Sequence, residues 1–142
     1  MRPVIALLTA LPFLAILAGC SEPITACTQV GCEDGLYITV EHLDGSPLDT
    51  FSGEATLDGE SFDVSCDDGT GQGDNYLCLG NTLEIQDATD ATEIHLDLVA
   101  DDDTLRYQGT LTLDFAEVQP NGPDCPPTCL QASETIALSP VD

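Results

Sequence analysis

The sequence predicts an all-β protein: a single antiparallel β-sandwich of about seven strands, stapled by disulfides. Apolar and polar residues alternate with a period of two along most of the chain after residue 34, which is typical of half-buried strands. Turn residues separate these stretches at roughly 8–12-residue intervals, a spacing that favours a sandwich. Six of the seven cysteines follow residue 20, as expected for a small domain held by disulfides.

The first half of the domain is predicted to contain a strand followed by a hairpin. Residues 36–41 alternate in polarity, and the turn at residues 44–47 ends that strand. Asp58-Gly59 then predicts a two-residue hairpin turn between strands at residues 51–57 and 62–66. The side chains expected to face the core are Leu36, Ile38, Val40, Phe51, Ala55, Leu57, Phe62, Val64 and Cys66.

The second half repeats this pattern. A short strand at residues 83–85 precedes one at 94–98, whose outer face is polar. The three aspartates at 101–103 predict a turn, a partner strand runs back over residues 105–115, and a last strand covers 136–138. The expected core side chains here are Leu83, Ile85, Ile94, Leu96, Leu98, Leu105, Tyr107, Leu111, Leu113, Phe115, Ile136 and Leu138.

The N-terminus carries a targeting signal. Arg2 precedes an apolar run, Val4 to Ala18, whose 15 residues fall short of the roughly 20 that a membrane span needs. The run ends in Leu17-Ala18-Gly19-Cys20, which resembles the lipobox of bacterial lipoproteins. The resemblance implies that the Cys20 thiol is diacylglycerated and that the chain is cut before it. The alternative is an ordinary secretory signal cut near the same place.

This resemblance divides the chain into three parts. Residues 1–19 are the signal peptide, residues 20–33 are a lipid-anchored tether that includes the first pair of cysteines, and residues 34–142 are the β-sandwich domain. The implied location is the bacterial cell envelope, with the protein anchored by its lipid. Ser21 is compatible with delivery to the outer membrane under the enteric sorting rule.

The cysteine count agrees with a lipidated Cys20, because the remaining number is even. Six cysteines in an oxidising compartment indicate three disulfides, for which 15 connectivities exist. Cys66 and Cys78 flank a polar, glycine-rich stretch and are the best-supported pair. The other four either pair locally or cross-pair between the two clusters, and zinc binding by all four is a further alternative. The six disulfide candidates are Cys27, Cys32, Cys66, Cys78, Cys125 and Cys129.

The charge is strongly negative. The chain has 26 acidic residues and two basic ones, and removal of residues 1–19 leaves Arg106 as its one fixed cation, giving −26 + 1 = −25. Such a surface repels nucleic acid and the anionic face of a membrane, so neither is expected as a direct partner. The charge is consistent with simple solubility, or with attraction for cations or a basic partner protein.

Two stretches carry a second resemblance. Residues 36–45, Leu-Tyr-Ile-Thr-Val-Glu-His-Leu-Asp-Gly, together with the strand count and the scattered cysteines, resemble the prealbumin-like domains related to carboxypeptidase regulatory domains. Residues 120–129 are similar to loops of uncharacterised bacterial lipoproteins. The resemblance implies a binding or spacing module without chemistry of its own. An immunoglobulin-like topology fits the strand count as well, although the chain has no tryptophan.

Few residues point to catalysis. The sequence has no serine-hydrolase elbow, zinc-protease motif or phosphate-binding glycine loop. His42 ends a core-facing series and is expected to be partly packed. His95 lies between Glu93 and Asp97 on one strand face, a trio that fits either a divalent metal or a solvated surface. A cofactor is therefore not expected.

Calcium binding is the more specific alternative to a domain without a cofactor. Aspartates crowd two turns, and calcium prefers carboxylate and carbonyl oxygens from turns. Neither turn has the EF-hand spacing, and aspartate and glycine are also ordinary turn residues. The candidate calcium ligands are Asp67, Asp68, Asp74, Asp101, Asp102 and Asp103.

These observations favour a lipid-anchored module of the cell envelope that binds or spaces another molecule and does not catalyse. Its partners are the membrane, through the Cys20 lipid, and an unidentified envelope protein or cation. A calcium-dependent adhesion module is the main alternative, and an envelope hydrolase is a remote one.

Overall fold

The computed structural model describes residues 27–141, and these residues form strands, turns and loops without a helix. Within this range no helix is long and apolar enough to cross a membrane. The all-β prediction is confirmed. The strands are β1 (Gly35–His42), β2 (Phe51–Leu57), β3 (Glu60–Cys66), β4 (Thr70–Gln72), β5 (Tyr76–Leu79), β6 (Thr82–Ile85), β7 (Glu93–Ala100), β8 (Leu105–Thr112), β9 (Ala116–Val118) and β10 (Cys129–Pro140).

The strands form one hydrogen-bonded network in the order β3-β2-β7-β8-β10-β1-β6-β5-β4, with β9 also on β10. All pairs are antiparallel except β1 with β10, which run parallel from Gly35 beside Gln131 to His42 beside Leu138. The long β10 begins beside β9 and β1 and ends beside β8, where Ser139 faces Arg106. Because β10 passes from one half of the sheet to the other, the sheet curls into a near-barrel.

The prediction of about seven strands in a sandwich needs correction. The structure has ten strands, and the three additional ones, β4, β5 and β9, are three or four residues long. Two of them, β4 and β5, lie in or just after the polar, glycine-rich stretch that follows Cys66. β9 pairs with the long β10, whereas β4 pairs with β5 and β5 with the similarly short β6, and strands this short show little periodicity of their own.

Aspartate shapes the turns. Asp58 and Gly59 both have positive φ, 50° and 85°, as the predicted hairpin turn between β2 and β3 requires. Asp101, Asp102 and Asp103 adopt this conformation in succession between β7 and β8. Aspartate tolerates it because its short side chain can hydrogen-bond locally. All positive-φ residues other than glycine in the described part of the chain are aspartates: Asp58, Asp68, Asp87, Asp101, Asp102, Asp103 and Asp124.

The predicted core is largely confirmed. The alternating side chains of β1, β6, β7 and the end of β10 are buried between the two halves of the sheet. The β8 side chains Leu105, Tyr107 and Leu111 are only partly buried, because β8 pairs with β10 at just two positions. Leu57, Phe62 and Phe115, also expected in the core, are partly buried as well. The largest fully buried side chains include Leu36, Ile38, Leu83, Ile85, Ile94, Leu96, Leu98 and Leu138.

All six candidate cysteines form disulfides. Cys66 bonds Cys78, as predicted. The N-terminal and C-terminal clusters cross-pair as Cys27–Cys125 and Cys32–Cys129, so the local pairings within each cluster are wrong. Residues 27–34 are consequently bonded to the body of the domain at two points. The part of the predicted tether that remains before the first bond is residues 20–26.

Candidate functional site

One cleft brings together two of the predicted calcium turns. Its volume is about 430 Å³, and Asp67 from the turn after β3 lines it with Asp101, Asp102 and Asp103 from the β7–β8 turn. Asp68 lies beside it, where its N–H donates to Thr50 Oγ1 at 3.1 Å. Asp74 is outside the lining of this cleft. The structure therefore unites most of the aspartates that the sequence singled out.

These aspartates do not form a ready-made metal site. Across residues 27–141, no group of three or more histidine, cysteine, aspartate or glutamate side chains is arranged to hold a metal ion. Calcium usually needs six to eight oxygen ligands, so several ligands would have to come from main-chain carbonyls or water. Calcium binding at this cleft stays a prediction.

His95 and its neighbours lie on the exposed outer face of β7. His95 Nδ1 shares a hydrogen bond with Thr110 Oγ1 of β8 at 3.1 Å. Asp97 accepts hydrogen bonds from the Arg106 guanidinium, one of them from Nε to Oδ1 at 2.8 Å. These bonds hold the pKa of Asp97 below its usual range. Because Asp97 is already paired, the Glu93, His95 and Asp97 trio is better described as a solvated strand face.

His42 lies at the end of β1, beside an open cavity of about 240 Å³. The turn next to it is held by Asp44, whose Oδ1 accepts hydrogen bonds from the Ser46 N–H at 2.9 Å and the Ser46 hydroxyl at 2.6 Å. These two bonds lower the pKa of Asp44. The residues that line the cavity are His42, Leu43, Asp44, Leu105, Leu138 and Pro140, which supply no hydroxyl or thiol nucleophile.

No family model, curated protein or solved structure matches this chain. The prealbumin-like kinship stays a prediction.

A second group of residues went unnoticed in the sequence. Glu84 lies on β6 between Leu83 and Ile85 and faces the outside of the sheet, yet it is only 5% exposed. Burial, and then the nearby Glu33 carboxylate, raise its pKa. Tyr37 is its neighbour on β1, and burial, with the charge of Glu84 second, raises the pKa of that phenol. In a period-two strand a polar residue normally faces water, so no local pattern marks Glu84 as buried.

The start of the described chain is fastened to the loop before β10. The Asn121 side chain accepts a hydrogen bond from the Val30 N–H at 2.9 Å and donates one to the Val30 carbonyl at 2.9 Å. It also donates to the Pro126 carbonyl at 2.6 Å. The Thr28 hydroxyl adds a bond to Asn121 Oδ1 at 2.6 Å. Together with the two disulfides, Asn121 fixes residues 27–32 on the domain.

The predicted lipidation at Cys20, the signal peptide at residues 1–19 and the sorting residue Ser21 all lie outside the described residues.

Proposed function

We propose that this protein is a lipid-anchored module of the bacterial cell envelope, held in the outer membrane by Cys20, that binds or spaces another molecule and has no catalytic activity. The domain supplies the surface, and the lipid supplies the location. Its partners in this proposal are the membrane, reached through the lipid, and an envelope protein.

The observation that carries the proposal is the use of the cysteines. The chain has seven, and six of them are bonded to one another in three disulfides. All six cysteines that follow Cys20 are therefore used within the domain. An odd thiol is unusual in an exported, disulfide-bonded protein, and the lipobox-like sequence before Cys20 offers a chemical use for it.

The way the chain enters the domain suits an anchor. Only residues 21–26 separate Cys20 from Cys27, a segment that can span about 20 Å when extended. Beyond it, the Cys27–Cys125 and Cys32–Cys129 disulfides transfer a pull on the anchor directly to the body of the domain. The negative charge repels anionic headgroups, so the domain is expected to stand off the membrane surface.

The two histidines support binding over catalysis. His95 is engaged with Thr110 on an exposed sheet face, and His42 borders a cavity whose lining lacks a nucleophile. A general base must lie within hydrogen-bonding reach of the group it activates, inside a pocket that excludes water. Neither histidine has such surroundings.

Membrane fractionation of the full-length protein tests the anchor. We expect the wild-type chain to sediment with outer-membrane vesicles, and Cys20→Ser to be released from them or retained as uncleaved precursor. Ser21→Ala is the matched control, because it changes the adjacent residue and keeps the thiol. A Cys20→Ser chain that is processed and still sediments with the membrane would overturn the proposal.

Calcium-dependent adhesion is the second candidate, favoured by the meeting of Asp67 and Asp101–Asp103 in one cleft. Calcium that binds the folded state raises the melting temperature, and the rise grows with calcium concentration. We expect Asp101→Asn/Asp103→Asn to abolish such a rise and Asp114→Asn to leave it intact. If the melting temperature is the same in calcium and in chelator, this candidate is wrong.

A further inference from the structure

One side of β8 is an open strand edge. β8 pairs with β7 over its whole length, but on its other side it pairs with β10 only at Leu105 and Arg106. Beyond these two positions no described strand pairs with that side of β8. We call residues 108–112, seen from this side, the open edge.

The main chain of the open edge has hydrogen-bonding groups that face outwards. The Thr104 carbonyl accepts a hydrogen bond from the Val141 N–H at 2.9 Å, so the even-numbered residues here direct their N–H and C=O groups to the β10 side. In the open edge these are Gln108, Thr110 and Thr112. All three residues are exposed, so each offers a donor and an acceptor to a further strand.

The open edge lacks the features that usually block an exposed strand edge. These are charged residues, proline, bulges and very short strands. Residues 108–112, Gln-Gly-Thr-Leu-Thr, carry no charge and no proline, and their register with β7 has no bulge. By contrast, β3 at one end of the sheet carries Glu60 and Asp63, and β4 at the other end has three residues. Pairing with another strand explains why the edge of β8 is uncharged in so acidic a chain.

The two faces beside the open edge differ in chemistry. On the inner face, Tyr107 and Leu111 are only partly buried, so an added strand would cover them with its inward side chains. On the outer face, Glu93 of β7 is exposed, and the charge of Arg106 is offset by its pair with Asp97. Successive side chains of a strand point to opposite faces. The added strand should therefore alternate apolar with basic residues.

Two further carboxylates border the open edge. Glu134 lies on the inner side of β10 between the buried Ala132 and Ile136, and its charge, after burial, raises the pKa of Tyr107. Asp114, two residues after the end of β8, is exposed. The mature chain as a whole carries a charge of −25. The charges around the edge therefore complement a basic segment.

We propose that the open edge of β8 binds an extended segment of a partner protein by strand addition, and that this segment alternates apolar with basic residues. The inference rests on the binding function proposed above and names its surface and the chemistry of its partner. In such complexes main-chain hydrogen bonds give affinity and alternate side chains give specificity. The charge attraction weakens as salt increases.

Fluorescence anisotropy with the full mature chain, extracted from membranes in detergent, tests this proposal. The probe is a labelled peptide of alternating valine and lysine, about seven residues long. Two matched peptides carry N-methyl groups on all lysines or on all valines, so each keeps the charge and loses the N–H groups of one edge. We expect one of the two to lose binding and the other to bind as the probe does. Methylated lysines abolish binding if the added strand is antiparallel to β8, and methylated valines if it is parallel.

Thr110→Pro tests the same edge on the protein. Proline removes an outward N–H and is tolerated in an edge strand, so the variant should fold, as its melting temperature will show. We expect it to bind the probe roughly tenfold more weakly, the effect of losing one or two main-chain hydrogen bonds. Thr110→Val keeps the N–H and should bind as the wild type does.

The outcomes separate this inference from the proposed function. If both methylated peptides bind as the probe does, charge alone holds them and the proposal is wrong. Absence of binding by the probe would also overturn it. Loss of binding on methylation, with unchanged binding to folded Thr110→Pro, would place the added strand on another edge and overturn it as well. The fractionation of Cys20→Ser decides the anchor independently of all three.

Discussion

Cys66 and Cys78 are bonded across the one part of the near-barrel that no strand ladder closes. Cys66 ends β3, the strand at one end of the sheet order, and Cys78 lies in β5, next to the other end. Their Cα atoms are 5.8 Å apart. The Tyr76 hydroxyl accepts a hydrogen bond from the Ser65 N–H at 3.0 Å, so the same strands also meet through a side chain. The disulfide therefore joins β3 to β5, two strands that are not paired by a ladder of backbone hydrogen bonds.

Removal of this bond should loosen that closure. Cys66→Ser/Cys78→Ser is expected to lower the free energy of unfolding by about 3 kcal/mol, the chain-entropy value for a loop of this length. Urea denaturation followed by circular dichroism measures the change. A loss well under 1 kcal/mol would mean that the strand ends hold together without the disulfide.

The two N-terminal disulfides should not contribute additively. Cys27–Cys125 and Cys32–Cys129 interleave, so once one is formed the other closes a loop of only (32 − 27) + (129 − 125) = 9 residues. Loss of either bond alone should cost about 2.5 kcal/mol, and loss of both about 7 kcal/mol, because the second removal also opens a loop of roughly 100 residues. Serine variants of each pair and of both pairs, compared by urea denaturation, test this. If the loss of unfolding free energy on removing both disulfides equals the sum of the two single losses, the two bonds are additive and this prediction is wrong.

Local patterns predicted a good part of this fold. The alternation around Leu36, Ile38 and Val40 marked a strand and its buried face, and Asp58-Gly59 marked a hairpin, because both features depend on residues close in sequence. The parallel pairing of β1 with β10 and the cross-paired disulfides join segments almost 100 residues apart, which leave no local trace. The burial of Glu84 could not be predicted for the same reason, because it comes from the strands on either side of β6.

Glu84 should make stability depend on pH. Its folded-state pKa is raised by burial and by Glu33, so its ionisation in the folded protein costs stability as pH rises from the usual glutamate range through the raised value. Glu33 and Asp34 on the segment before β1 and Tyr37 on β1 are the titratable groups near this position, with Leu77 of β5 on its other side.

Glu84→Gln is accordingly expected to raise the melting temperature at pH 7. The difference should shrink as pH falls and vanish below about pH 4, where the carboxyl group is protonated in both the folded and unfolded states. Thermal denaturation of the two proteins between pH 3 and pH 8 gives the comparison. A variant less stable than wild type at neutral pH would show that the ionised carboxylate is stabilised.

Gly53 permits the close approach of β2 and β7. Its φ is 152°, and a Cβ atom at this position would meet the backbone of Asp97 and lie 2.9 Å from Leu98 Cα. Gly53→Ala should destabilise the protein by roughly 1–3 kcal/mol, since backbone atoms have to shift. Gly31→Ala is the control, because nothing lies within 4 Å of a Cβ atom there. Equal midpoints in urea for the two variants would contradict this account of the β2–β7 contact.

The intact mass of the membrane-extracted protein tests most directly whether the chain is a domain with three disulfides on a lipidated Cys20. We expect a chain that begins at Cys20 and carries acyl groups, and whose polypeptide gains six hydrogens on reduction, two for each disulfide. An unacylated chain, or one that gains fewer hydrogens, would contradict it.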